Sequence, residues 1–335
     1  MATIQDVARS AGVSTATVSR VLSAPEVVTA ATREKVMAAV AALGYAPNVA
    51  ARNLRTLRTE KILVTVPDIS NPFFSQVIRG VEEAAQAAGY SVLLGDTRHD
   101  PEREEQYGRM LRRKEADGLI FLGHRLPESL AEMVAALGPR TPIVNGCEFS
   151  PGLAVSSAHI DNARAAAEAM EHLYGLGHQR VGLVTGPLAS PISRDRLAGA
   201  RDSAARHGHG DDLAVATGDF SIESGLAQAL ALLQVDPRPT AVFCFSDEMA
   251  MGALEAFRRV GLACPADISL IGFDDIRYAR HLDPPLTTIS QPMERIGHEA
   301  VRLLLDILSG EAPVVLHVTL AHRLVVRATT ARPPI

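Results

Sequence analysis

The sequence predicts an all-α helix-turn-helix headpiece followed by an α/β core of two doubly wound parallel-sheet lobes. Three observations carry this expectation. Three short helical patterns separated by turn signals fill residues 1–46. From Lys61 the texture changes to short apolar strands alternating with amphipathic helices, the pattern of parallel sheets covered on both faces. About ten such units follow, more than one doubly wound sheet holds, so two similar lobes with a cleft between them are the economical solution.

The headpiece helices are read from their ends. Thr3 is placed to cap a helix through Ile4, Val7 and Ala8, with Asp6 completing a near capping box and Gly12 as its stop. Ser14 is placed to cap a second helix with Val18, Val21 and Leu22 on one face, halted by Pro25. Thr29 is placed to cap a third, with Val36, Ala39, Val40 and Leu43 as its apolar stripe and Gly44 at its end. Pro47 then breaks the chain. Asn48 can cap about two turns of helix over 49–55, too short to be stable alone in water. Residues 56–60 read as a linker, which puts a domain boundary near residue 60.

In the core, strands are expected at Ile62–Val66, Ser91–Leu94, Gly118–Leu122, Ile143–Asn145, Ala154–Ile160, Val181–Thr185, Val215–Gly218, Ala241–Cys244 and Ile268–Ile271. Helices are expected at Pro72–Ala88, Pro101–Arg113, Ala163–Leu176, Leu197–His207, Ser221–Leu233, Asp247–Val260 and Ile296–Leu308. Ligands of such sheets lie beyond the carboxyl ends of the strands, so the cleft is the expected binding site.

Composition narrows the class. The chain has 335 residues, 47% hydrophobic and 21% charged, as in a soluble globular protein of two or three domains. No basic-then-apolar start and no run of about 18 apolar residues occurs, so neither a signal peptide nor a membrane span is expected. Cys147, Cys244 and Cys264 are the only cysteines and form no CxxC pair, which fits a reducing cytoplasm and no disulfide or zinc frame. Net charge is −5, but seven basic against three acidic side chains give residues 1–59 a charge of +4 and leave −9 on the rest. A basic head on an acidic body suits a protein that meets phosphate with one end.

A recognition helix enters the major groove with its first residues, here Thr15, Ala16 and Thr17, then Ser19 and Arg20. Arg20 can bond a guanine bidentately, and Thr15 and Ala16 can offer a hydroxyl and a methyl contact. Ser14, Thr17 and Ser19 suit phosphate oxygens. A plain helical hairpin with a solvated polar face would read the same way.

The residues that decide between these readings form a recognisable series. Thr3-Ile4-Gln5-Asp6-Val7-Ala8, Gly12-Val13-Ser14, Thr17-Val18-Ser19-Arg20-Val21-Leu22, Thr32-Arg33-Glu34-Lys35-Val36 and Leu43-Gly44-Tyr45-Ala46-Pro47-Asn48 resemble the headpiece of the LacI family of bacterial repressors. Ala50-Ala51-Arg52-Asn53-Leu54 resembles that family's hinge helix. The resemblance implies DNA contacts from Thr3, Ser14, Thr15, Ala16, Thr17, Ser19, Arg20 and Asn48. It also implies that two hinge helices of a homodimer order on operator DNA, Leu54 wedging into the minor groove with Ala51 one turn earlier on the same face. An ordinary linker leucine is the other reading of Leu54.

The resemblance continues through Val66–Phe74, Ala158–Asn162, Gly186-Pro187, Arg196–Gly199, Gly218–Phe220, Phe243–Ala250, Ile271–Asp275 and Leu286–Pro292 into a periplasmic-binding-protein-like core. It implies a headpiece at 1–46, a hinge and linker at 47–60, and a ligand-binding and dimerisation core at 61–335. The N-lobe would then hold about 61–159 and 291–320, the C-lobe about 161–289 and 322–330. By family position the cleft is lined by Phe73, Phe74, Asp161, Ser190, Arg196, Phe220, Asp247, Asp274 and Gln291. Phe rings stack on flat bases or sugar faces, and Arg196 and Asp274 can bond hydroxyls or ring heteroatoms. Phe73 and Phe74 equally suit core packing, Asp247 a helix cap, and Asp274-Asp275 a turn.

Val66–Phe74 with Ile78-Arg79-Gly80, Leu122–Pro127, Glu148-Phe149 and Asp283–Leu286 are most similar to the family's cytidine-responsive branch, which implies a nucleoside effector and another transcription factor as a further partner. The purine-responsive branch shares Met1–Ile4, but Ser190 and Ile192 stand where it carries an arginine and a threonine that hold the purine. Cys147 departs from the cytidine-responsive branch, which has asparagine there.

An enzyme is the main rival class, and a sugar- or nucleoside-binding protein alone, which would lack the headpiece, is the second. No GxxxxGK[ST], GxGxxG, GxSxG or HExxH occurs, and none of the three lysines follows a glycine. His207 and His209 flank Gly208 as a loop would, and His298-Glu299 lacks a partner histidine. No cofactor or metal is expected.

Overall fold

The computed structural model describes residues 2–46, 58–150, 152–210 and 213–334. It separates into two compact units, Met1–Thr59 and Glu60–Ile335. The hinge residues Asn48, Ala51 and Leu54 lie outside the described residues.

The first unit holds α1 (Ile4–Ala11), α2 (Thr15–Ser23) and α3 (Ala30–Leu43), with one 3₁₀ turn at Pro25–Val27. Thr3 forms a full capping box with Asp6, the Asp6 N–H donating to Thr3 Oγ1 at 3.3 Å and the Thr3 N–H to Asp6 Oδ2 at 3.0 Å. Ser14 Oγ accepts the Thr17 N–H at 3.1 Å. Gly12 and Gly44 end their helices at φ 64° and 56°, a left-handed turn glycine makes without steric cost. Val7, Val18, Val21 and Val36, with Ala8 and Ala39, form the small core between the three helices. Two expectations fail here. Thr29 takes the cap position of α3, but its hydroxyl donates to Thr32 Oγ1 and accepts no helix N–H. Leu43 is exposed, because the stripe turns away from the core in the last helical turn.

The second unit contains two six-stranded sheets. The first is built from β1 (Lys61–Val66), β2 (Ser91–Asp96), β3 (Gly118–Phe121), β4 (Ile143–Cys147), β5 (Ser156–Ile160) and β11 (His317–Leu320), ordered β11-β5-β4-β3-β1-β2 and parallel throughout. The second is built from β6 (Val181–Thr185), β7 (Leu213–Thr217), β8 (Ala241–Cys244), β9 (Ser269–Asp274), β10 (Thr287–Ser290) and β12 (Arg323–Val325), ordered β12-β10-β9-β8-β6-β7. Around them lie α4 (Pro72–Ala87), α5 (Pro101–Arg112), α6 (Glu128–Leu137), α7 (Asn162–Gly175), α8 (Pro191–Arg206), α9 (Ile222–Leu232), α10 (Asp247–Arg259) and α11 (Met293–Ser309). Among the described residues no helix is long and apolar enough to cross a membrane.

The chain passes between the lobes three times: from β5 into α7, from β10 into α11, and from β11 into β12. The third passage explains the one departure from an all-parallel expectation. β12 is antiparallel to β10. Only Ala321 and His322 separate it from β11, so it enters the second sheet from the carboxyl ends of its neighbours, where a parallel entry needs a dozen or more connecting residues. That same fact shows the carboxyl ends of the two sheets facing each other.

Element ends differ from expectation where polarity hides periodicity. α8 begins at Pro191, six residues before the apolar signal at Leu197, because Pro-Ile-Ser-Arg-Asp-Arg has no continuous stripe but opens with a proline suited to a first turn. The threonine-rich β10 and the three- and four-residue β12 and β11 are too short or polar to show as apolar runs, and α6 also falls outside the expected helices. β9 starts one residue later than expected and ends three residues later, at Asp274.

α4 and α11 cross at two reciprocal glycines. A side-chain carbon at Gly80 would strike the Glu294 carbonyl, and one at Gly297 would strike the Val77 carbonyl. This contact helps hold α11 on the N-lobe after its passage across. Gly297→Ala is expected to cost about 1–3 kcal/mol of core stability, the usual range for overpacking, measured by urea unfolding. An unchanged midpoint would contradict the crossing.

Candidate effector cleft and DNA-reading face

Arg196 lies one turn into α8 and is buried. Its Nε donates to Asn162 Oδ1 at 2.9 Å, and its Nη1 donates to the Phe245 carbonyl at the end of β8. Its guanidinium carbon stands 3.5 Å from the centroid of the Phe273 ring, a cation–π stack out of water. Burial brings its pKa down to about 10, opposed by Asp274, Glu148, Asp195 and Asp247, so it stays charged at neutral pH.

Asp274 ends β9 beside it. Gln291 Nε2 donates to Asp274 Oδ1 at 2.7 Å. Burial raises the Asp274 carboxyl to about 7, with Arg196 and the Gln291 bond pulling it down. Asp274 and Asp275 sit at φ 115° and 61°, backbone that side chains other than glycine rarely adopt. Such strain costs of order 1–3 kcal/mol per residue and persists where surroundings over-determine it. The second acid is anchored, its Oδ1 accepting from Arg327 Nη2 at 2.6 Å. The pair is therefore a turn, as one reading had it, and also part of the charged centre.

Asp247 is the first residue of α10 and is buried, but Ser246 supplies the cap, accepting the Met249 N–H at 3.2 Å. Asp247 Oδ2 accepts the Ile276 N–H at 2.8 Å, and Oδ1 accepts from Thr288 Oγ1 at 2.6 Å. Both oxygens are thus engaged within the C-lobe, where they brace the turn after β9 against β10. Burial and Asp274 both push its carboxyl well above the usual range.

Phe73 and Phe74 open α4 behind Asn71, whose Oδ1 accepts the Phe73 N–H at 2.8 Å. Their rings meet edge to face at 5.2 Å; Phe73 is buried in the core and Phe74 half-buried. Phe220 is half-buried at φ 73°, its ring lying over Gly186 so closely that no side chain fits there. Ser190 is buried at the start of α8 with its hydroxyl unpartnered. Asp161 is exposed and caps α7, its Oδ1 accepting the Arg164 N–H at 2.9 Å. It marks the passage between lobes.

Glu148 is the residue that sequence reasoning left out of the cleft. It follows β4 in the N-lobe, is 7% exposed, and has one carboxyl oxygen buried without a partner. Burial raises it to about 8, while Arg196 and Arg194, across in the C-lobe, pull it down. Cys147 beside it feels Asp274 and Arg196 as well. These two bring the N-lobe into the charged centre. A lone acid ending an apolar strand was the signal available. The larger surface grooves lack such convergence: the one of about 510 Å³ between α7 and α8 is lined by paired charges such as Arg206 with Glu171 and Asp202.

In the headpiece, Ser14, Thr15, Ala16 and Arg20 are exposed on α2, with Thr17 and Ser19 half-buried. The Thr3 hydroxyl also donates to Asp6 Oδ2 at 2.7 Å and holds that carboxyl below the usual range. Among the described residues no group of three metal-ligating side chains occurs.

Because Glu148 ionises at about 8 in the fold and at 4.5 ordinarily, stability falls as pH rises between those values. Glu148→Gln lacks this loss. Its melting temperature should exceed the parent's at about pH 8, with the advantage shrinking toward about pH 5. An advantage independent of pH would show that Glu148 is not the buried acid described.

Comparison with known proteins completes the picture. Residues 3–48 match the bacterial regulatory proteins of the lacI family, and residues 170–330 match the periplasmic binding protein-like domain. The chain is 44% identical to the transcriptional repressor CytR of Escherichia coli K12 over 311 residues, 92% of this chain and 91% of that protein. It is 38% identical to the repressor PurR of Photobacterium profundum over 91% of its own length and 92% of the other's. A lac repressor dimer bound to operator and an anti-inducer superposes with TM-score 0.89 at 33% identity, covering 98% of this chain and 99% of that one. The chain therefore belongs to the LacI family: it is a transcriptional repressor with a DNA-binding and a ligand-binding domain, and not an enzyme.

Proposed function

We propose that this repressor acts as a homodimer on a pseudo-palindromic operator and is controlled by a nucleoside-like effector held between its lobes. The observation that carries the effector reading is the Arg196–Asp274–Gln291 set, joined by Glu148 from the opposite lobe. Two carboxyls ionising near neutrality beside a fixed cation can both donate and accept, as the heteroatom edge of a base requires. Phe73, Phe74 and Phe220 supply the aromatic surface for a flat ring, and Ser190 offers a free hydroxyl. Similarity to CytR supports a nucleoside; similarity to PurR makes a purine base the alternative.

On the DNA side, Thr15, Ala16 and Arg20 would meet base edges, and Thr3, Ser14, Thr17, Ser19 and Asn48 phosphates, with Leu54 and Ala51 at the minor groove. Effector binding would bias the lobe arrangement and through it the pairing of the hinges. The direction in which effector acts follows from which arrangement it prefers, and similarity to CytR favours release.

A thermal-shift screen of cytidine, other nucleosides, nucleobases and sugars tests the effector, since a selective binder raises the melting temperature by mass action. Sugars alone stabilising the chain would overturn the nucleoside reading. Arg196→Ala should abolish the response of DNA binding to effector; because it also leaves buried acids uncompensated and lowers stability, DNA binding is compared below the variant's own melting temperature, where it should persist. For the DNA face, titration with operator duplex at several salt concentrations is the measurement. Arg20→Ala should lose about 1–3 kcal/mol of specific binding while non-specific binding persists. Leu54→Ala should weaken operator binding with effector affinity nearly intact, and equal loss of both would contradict the wedge.

A further inference from the structure

A second cluster of titratable groups lies at the edge of the N-lobe sheet, on β5 and its outer neighbour β11. His317 of β11 is the register partner of Ser157 in β5, so their side chains share a face with His159 two residues on. Ser157 Oγ lies 3.2 Å from His159 Nδ1 and 2.9 Å from His317 Nδ1. Phe149 covers the pair, stacked on the His159 ring at 5.1 Å and edge-on to His317 at 4.7 Å. His159 is buried and His317 exposed. The groups that face His159 are His317 from β11 and Asp161 beyond the end of β5, with the buried Cys147 beside it in β4.

One hydroxyl bridges two ring nitrogens only in certain protonation states. With both rings neutral, Ser157 donates to one Nδ1 and accepts from the Nδ1–H of the other. A proton on the free Nε2 of the ring that donates to Ser157 leaves both bonds intact. A second proton, on the other ring, gives both rings an Nδ1–H. The Ser157 hydrogen then has no acceptor in the bridge, and two cations share one face of the sheet, the His159 cation buried.

We propose that Ser157, His159 and His317 form a pH-sensing latch, closed while at least one imidazole is neutral and opened when both carry a proton. Its position gives it something to act on. β5 and β11 are the strands that lead into two of the three passages between lobes, at Asp161 and at Ala321-His322. Phe149, which closes the latch, follows Glu148 directly, so releasing its ring frees the N-lobe half of the charged centre. Burial, and next His317, lower the His159 pKa from 6.5, with Asp161 opposing. A depressed histidine contributes stability that is complete above its ordinary value and lost as pH falls through it. Acid therefore opens the latch.

Hydrogen exchange of the full chain at about pH 7.5 and about pH 5.5, corrected for intrinsic rates, tests this without any ligand. In the parent, residues 148–150, 157–160 and 317–322 should lose protection several-fold on acidification relative to the remaining strands. His159→Gln should remove that selective loss. His317→Gln should do the same, because the hydroxyl then bridges to one ring whatever its charge; this exposed substitution keeps the test open if the buried one unfolds the chain. Ser157→Ala should show the acid pattern at both pH values. Equal acid response in the parent and in His317→Gln, or no selective loss in the parent, would overturn the latch.

Discussion

The core is organised around a buried positive charge. Arg196 cannot be deprotonated to escape its surroundings, so the fold must satisfy it. It does so with a side-chain amide from Asn162, a strand-end carbonyl from Phe245, the face of Phe273 and acids on both sides of the cleft. Those partners come from the carboxyl ends of β8 and β9, the start of α7, and the N-lobe loop after β4. Removing one member of such a set leaves the others uncompensated, which costs more than the pair is worth in isolation. That asymmetry ties the ends of several strands to one point and makes the cleft a polar centre of the fold as well as a place for ligand.

The acids around Arg196 are not equivalent. Asp247 has both oxygens engaged by Ile276 and Thr288, so it stiffens the C-lobe wall. Asp274 keeps one oxygen on Gln291 and Glu148 keeps one with no partner. Free acceptor capacity thus lies on one acid of each lobe, both within the field of Arg196, while Asp247 is taken up in bracing. A ligand beside Arg196 would meet polar atoms already oriented, which limits the ordering cost of binding.

Much of this was legible in the chain. The capping box at Thr3, the glycine stops at Gly12 and Gly44, and the strand–helix alternation each rest on local chemistry that sequence displays directly. Arg196, Asp274 and Gln291 were legible only through family position, because residues 78 and 17 positions apart come together through sheet order, not spacing. Glu148 was missed since nothing local distinguishes a lone acid at a strand end from a surface acid; only the facing lobe makes it buried. Asp161, read by family position as a cleft residue, also caps α7, for a carboxylate preceding a helix satisfies orphan N–H groups wherever it stands. The short polar strands β10, β11 and β12 were invisible for a related reason: their pairing is fixed by neighbours distant in sequence.

The reversed strand β12 has a mechanical meaning. With three separate backbones passing between the lobes, neither lobe can twist or slide without bending all three together. A single tether would leave many relative orientations open; three parallel straps leave essentially one soft coordinate. Whatever occupies the cleft can then be sensed elsewhere only as a position along that coordinate. Under the proposed function, the many chemical details of a small molecule would reduce to one displacement, and two molecules of different chemistry that set the same displacement would give the same signal.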